Sequence, residues 1–158
     1  MKRWRWRTLA IVLALFAGTV PVWAQNPHDH GSHGGMKMDT REVLAEGIKV
    51  TFMVMANDEH RVMLKNMKME EDIQPGTTHN VTVALTDPET GQEIPDAAVT
   101  MKVVAPGGEY QIRPLAYKPG MKSHDGYFNL PGPGRYELLV LIKVGGQKKA
   151  AGVFYDLK

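Results

Sequence analysis

The chain has 158 residues, 43% of them hydrophobic, with ten methionines, six histidines and no cysteine. Without thiols it can build neither a disulfide framework nor a zinc-thiolate or iron-sulfur centre. The formal charge of +2 belongs to the amino end. Residues 1–24 hold four of the 19 basic side chains and none of the 17 acidic ones, so the remainder carries −2 and lacks the net basic charge that nucleic acid attracts.

Taken in order, Lys2, Arg3, Arg5 and Arg7 precede an apolar run from Leu9 to Val20, and small or apolar Val22 and Ala24 follow. This is the layout of a secretory signal cleaved after Ala24. The run is about a dozen residues, short of the roughly 20 that span a bilayer, so no stable membrane anchor is expected after cleavage. The expected destination is the periplasm of a bacterium. Residues 25–42 read as a flexible tail, beginning QNPHDHGSHGGMKMDT. His28, His30, His33, Met36 and Met38 within it could capture a metal loosely, or the stretch could be a polar linker. A terminus at Gln25 leaves no first-residue histidine, which argues against a copper oxygenase of the histidine-brace kind.

Residues 43–158 read as one β-domain. Ile48, Val50, Phe52 and Val54 alternate with Lys49, Thr51, Met53 and Met55, which predicts a strand with one aliphatic and one methionine-bearing face. Residues 58–77 read as a long functional loop, with a short extra hairpin around Arg61 to Glu70. Further strands are expected from His79 to Leu85, Ala97 to Val104, Tyr110 to Tyr117, Tyr127 to Leu130, Tyr136 to Val144 and Ala150 to Leu157. Between them, KPGMKSHDG reads as a loop carrying Met121 and His124, and Gly145-Gly146 as a hairpin turn. About seven short strands with regular turns predict an all-β, immunoglobulin-like antiparallel sandwich. Gly134-Arg135-Tyr136 at a strand start has the form of a tyrosine corner. A cupredoxin barrel is the rival, but its blue-copper centre needs a cysteine.

Thr51 to His79 concentrates methionine, with Met53, Met55, Met63, Met67 and Met69. Thioethers and imidazoles suit a soft monovalent ion, Cu(I) with Ag(I) as its surrogate, rather than magnesium or calcium. The preferred ligand set is Met67, Met69, His79, Met121 and His124, with Met101, His60 and Met63 as additional candidates. Met53 and Met55 read as packing residues, since strand methionines usually fill space. His79 and His124 could equally be a hydrogen-bonded strand-end histidine and a turn histidine.

From about Thr78 to Leu157 the chain resembles the YtkA-like and related immunoglobulin-like exported domains. The likeness rests on HNVTVALTDPETGQEIPDAAVTMKV, the GMKSH loop, GPGRYELLVLI and GVFYD. It implies copper handling in the bacterial envelope, and it places Met101, Met121 and His124 nearest a family-type metal site. No catalytic motif is present, so a non-enzymatic copper-binding, buffering or delivery protein is expected. Its partner would be an envelope metal-efflux or metalloenzyme assembly. The alternative is a structural immunoglobulin-like adaptor of an envelope complex without a metal role, and an oxidase acting on Cu(I) is a weaker third.

Overall fold

A computed structural model describes residues 39–158. The secretory-signal reading of residues 1–24 and the tail donors His28, His30, His33, Met36 and Met38 lie outside the described residues.

Eight antiparallel strands and one helix make up the described chain. The first hairpin pairs β1 (Asp39–Ala45) with β2 (Ile48–Ala56). Its two-residue turn, Glu46-Gly47, has both φ angles positive, 47° and 79°, which matches the right-handed twist of the flanking strands. β1 thus starts at Asp39, inside the stretch read as tail, and raises the strand number from seven to eight. The chain then turns into α1 (Asn57–Asn66), where a loop with a small hairpin was expected. The remaining strands are β3 (His79–Thr86), β4 (Ala98–Val104), β5 (Tyr110–Lys118), β6 (Ser123–Phe128), β7 (Gly134–Val144) and β8 (Gln147–Leu157). His124 therefore lies in a strand and not in the preceding loop.

The strand order is β1-β2-β3-β6-β5-β4-β7-β8. β5 pairs with β4 from Tyr110 to Leu115 and with β6 from Ala116 to Lys118, so it carries the hydrogen-bonded ladder from one sheet to the other. The β2-β3-β6 and β4-β7-β8 groupings are those of an all-β, immunoglobulin-like sandwich. Between the sheets lie Val50, Phe52, Val54, Val81, Val83, Leu85, Val99, Met101, Val103, Phe128, Tyr136, Leu138, Val140 and Ile142, all buried. They come from alternate positions because successive strand side chains point to opposite faces. At the start of β7 the Tyr136 hydroxyl donates to the Gly132 carbonyl at 2.8 Å, closing the tyrosine corner expected from the sequence.

Candidate metal site

Alternation also decides what lies on the outside of the β2-β3-β6 sheet. With Val50, Phe52 and Val54 directed inward, Met53 and Met55 face outward. The register sets Met53 beside Thr82 and Met55 beside Asn80, and continues to Asp125 and Tyr127 on β6. This outward face is not solvated, because α1 lies over it. His60, Met63, Leu64 and Met67 recur at the helical spacing of three and four residues and form the face turned to the sheet.

Both ends of the helix are fixed by backbone contacts. At its start the Asn57 N–H donates to Thr78 O at 2.9 Å, and the Asn57 amide donates to Thr77 O at 2.9 Å. At its end Lys68 takes a left-handed conformation, φ 55°, so that its N–H reaches Lys65 O and the Met69 N–H reaches Leu64 O. This is a Schellman stop with lysine where glycine is usual. It brings the Met69 side chain against Gly120.

The third wall is the four-residue turn between β5 and β6. Met121 N–H bonds to Lys118 O at 3.0 Å and Lys122 holds φ 53°, which brings Gly120 and Met121 over the same face. The three walls enclose a cavity of about 250 Å³ lined by Met53, Met55, His60, Met63, Met67, Asn80, Thr82, Gly120, Met121 and Ser123. Five thioethers and one imidazole surround a single space. Met69 packs at its rim, since a carbon placed on Gly120 would stand 3.4 Å from the Met69 sulfur. Met67 is 45% exposed and opens the cavity to solvent, whereas His60 is 1% exposed and lies at its inner end.

Polar groups around the cavity are held in place from outside. The Thr82 hydroxyl donates to Asn80 Oδ1 at 2.7 Å. Tyr127 contacts the His60 ring edge-on at 5.7 Å and donates its hydroxyl to Asp72 at 2.7 Å. Lys118 also bonds to Asp72, and Arg113 donates to Gln74 at 2.8 Å, so the loop after α1 is tied to β5 and β6. Burial pushes the Asp72 carboxyl up, but the bonds from Lys118 and Tyr127 outweigh it and hold the group below its ordinary range. Burial lowers His60, against the opposing pull of the Asp72 charge. Neither ring nitrogen of His60 has a hydrogen-bond partner among the described residues. A buried imidazole left this way costs free energy unless something binds it. A neutral imidazole with a free lone pair, facing thioethers in a cavity whose lining holds no carboxylate, suits a soft ion.

The sequence-derived set is divided by the fold. Met67 and Met121 line the cavity, with Met63 and His60 beside them and Met69 at the rim. His79 falls on the opposite side of β3, in line with Val81 and Val83, and bonds through Nδ1 to the Thr78 hydroxyl at 2.8 Å. His124 is likewise inward, paired with Val83 in the ladder, and its Nε2 donates to Ala97 O at 3.0 Å. Met101 is fully buried in the core. Met53 and Met55, read as packing residues, are part of the cavity wall.

No family model and no curated protein matches the chain. Solved structures share the fold at low identity. FetP of a uropathogenic Escherichia coli strain, expressed in the periplasm, has a TM-score of 0.52 and 13% identity over 77% of this chain and 95% of its own. A copper-bound variant of FetP gives 0.52 and 12% identity over 77% and 96%. A DUF4426 family protein of Pseudomonas aeruginosa gives 0.54 and 11% identity over 75% and 94%.

Proposed function

We propose that this chain is an exported copper-binding protein that holds Cu(I) in the cavity between α1 and the β2-β3-β6 sheet, and that it buffers or delivers the ion rather than catalysing a reaction. The observation that carries the reading is the convergence of Met53, Met55, Met63, Met67 and Met121 on one space with His60, whose ring nitrogens are otherwise unused. Thioethers favour the monovalent state of copper and discriminate against calcium, magnesium and zinc. The apolar surround and the position of His60 at the inner end exclude water from the ion, while exposed Met67 provides a path for exchange. The copper-bound and periplasmically expressed neighbours of the same fold support copper as the metal and the periplasm as the place. So do the secretory layout of residues 1–24 and the YtkA-like resemblance. An envelope metal-efflux or metalloenzyme assembly would receive the ion.

The test is a titration with Cu(I), or Ag(I) as surrogate, against a chromophoric chelator. The wild-type chain should compete at micromolar metal. Met53→Leu with Met55→Leu should lower affinity at least about tenfold, about 1.4 kcal/mol, while each exchange costs less than about 1.5 kcal/mol of folding stability because volume is kept. His60→Leu should also weaken binding. Met101→Leu, in the core, should leave affinity unchanged. Equal affinity in all four proteins would dismiss the cavity as the site.

A second reading, docking without metal, has one observation in its favour. Tyr110, Ile112, Leu141 and Phe154 are exposed on the outer face of β5-β4-β7-β8. Such a patch suits an adaptor, and an adaptor would not compete with the chelator at all.

A further inference from the structure

Next to the cavity stands a buried carboxylate that does not line it. Along β6, Ser123, Asp125 and Tyr127 take alternate positions and so share the outward face. The register sets Asp125 between Thr82 on β3 and Ala116 on β5, and Ser123 opposite Lys118. Two cavity residues connect Asp125 to the lining. The Thr82 hydroxyl donates to Asn80 Oδ1 at 2.7 Å, and Asn80 Nδ2 donates to Asp125 Oδ2 at 3.3 Å. The other carboxylate oxygen, Oδ1, has no partner among the described residues, and neither has Oγ of Ser123, which lines the cavity. Asp125 is 5% exposed and Ser123 1%.

The charges around Asp125 do not balance. Lys118 on β5 pairs with Asp72 on the loop after α1, so one cation faces two carboxylates. Burial pushes the Asp125 carboxyl up, Lys118 pulls it down and Asp72 pushes it up again. The other titratable groups close by add no positive charge: Tyr127 donates to Asp72 and touches the neutral ring of His60, and Glu70 acts on Lys118. With Lys118 matched by Asp72, Asp125 is an excess negative charge in a buried place. A monovalent cation among thioethers and a neutral imidazole has the complementary deficit, because none of its donors carries charge, and an unpaired buried charge is costly.

We propose that Asp125 supplies the counter-charge for the ion held in the cavity, acting through space as a positioning residue and not as a ligand. The inference rests on the copper reading of the cavity. No covalent or redox step is involved. The carboxylate acts across Asn80 and Thr82 in a water-poor surround, where a charge is felt more strongly than in water. Ion and carboxylate thus relieve each other when the cavity fills, and Lys118 opposes the ion because it competes for the same negative charge.

The experiment titrates the purified full chain with Cu(I) against a chromophoric chelator and measures the urea midpoint of the metal-free chain at about pH 7.5, well above the ordinary carboxylate range. Asp125→Asn should bind Cu(I) at least about tenfold more weakly, about 1.4 kcal/mol. Its metal-free midpoint should be unchanged or raised, because the amide keeps the shape and removes a buried charge. Lys118→Gln, which retains a donor for Asp72, should bind Cu(I) at least about threefold more tightly, the opposite sign to Asp125→Asn. A merely structural Asp125 would lose midpoint and affinity together, and that result overturns the proposal. So does an Asp125→Asn affinity within about twofold of the wild type. Unchanged or weaker binding by Lys118→Gln also overturns it, and this variant decides alone if Asp125→Asn does not fold. A wild-type chain that fails to compete with the chelator refutes the copper reading itself, and that result is separate from a competent chain indifferent to both charges.

Discussion

A strand methionine in this protein lies either in the core or in the cavity wall, and the face it occupies decides which. Met101 and Met53 are both strand residues, yet one lies in the core and the other in the cavity wall. A thioether packs and ligates with the same atoms, so density of methionine in Thr51 to His79 could be read from the sequence but the individual roles could not. The histidines divide similarly. His79 and His124 are both held below the ordinary imidazole value of 6.5, chiefly by burial. Because their folded values are depressed, the stability tied to the neutral rings is present above 6.5 and is lost as the pH falls through those folded values, where the unfolded chain binds more protons. Asp125 works in the opposite sense. Burial raises its carboxyl above 3.8, so its contribution is full below that value and fades as the pH rises through the folded one. The urea midpoint should thus fall between about pH 7.5 and about pH 5, and His124→Gln, which removes one of the titrating rings, should flatten that slope.

At the scale of elements, α1 is the part the sequence concealed. The spacing of His60, Met63, Leu64 and Met67 is helical, but the usual boundary signals are missing. Ala56 offers no capping side chain, and the stop is made by Lys68 instead of glycine. A ten-residue helix without punctuation looks like a polar loop, particularly when Pro75-Gly76 follows. The same ambiguity misplaced His124, because KPGMKSHDG is rich in turn residues although only four of them form the turn. Lys68→Gly relieves a left-handed residue that costs roughly 1–2 kcal/mol, against roughly 0.5–1 kcal/mol of added chain entropy. A net gain of about 0.5–1 kcal/mol is expected, read as a higher urea midpoint.

For the whole molecule, period-two alternation was the legible signal. It located most strands, the inward residues and the hairpin at Gly145-Gly146 before any register was known. What it could not supply was the meeting of Met53, Met63 and Met121, which requires the β2-β3-β6 register and the β5-β6 turn together. The tyrosine corner was readable because its parts are local. Removing it with Tyr136→Phe leaves the Gly132 carbonyl without the donor that reaches it at 2.8 Å, and should cost about 1–3 kcal/mol with an unchanged dependence on denaturant.

The core and the cavity share the β2-β3-β6 sheet as a common wall. The inner one carries the burden of folding, and the outer one is free to change its chemistry. Because the cavity wall uses the outward residues of that sheet, its thioethers can be exchanged for imidazoles or carboxylates without disturbing the inward packing, so the donor chemistry of the cavity can change while the sandwich stays the same.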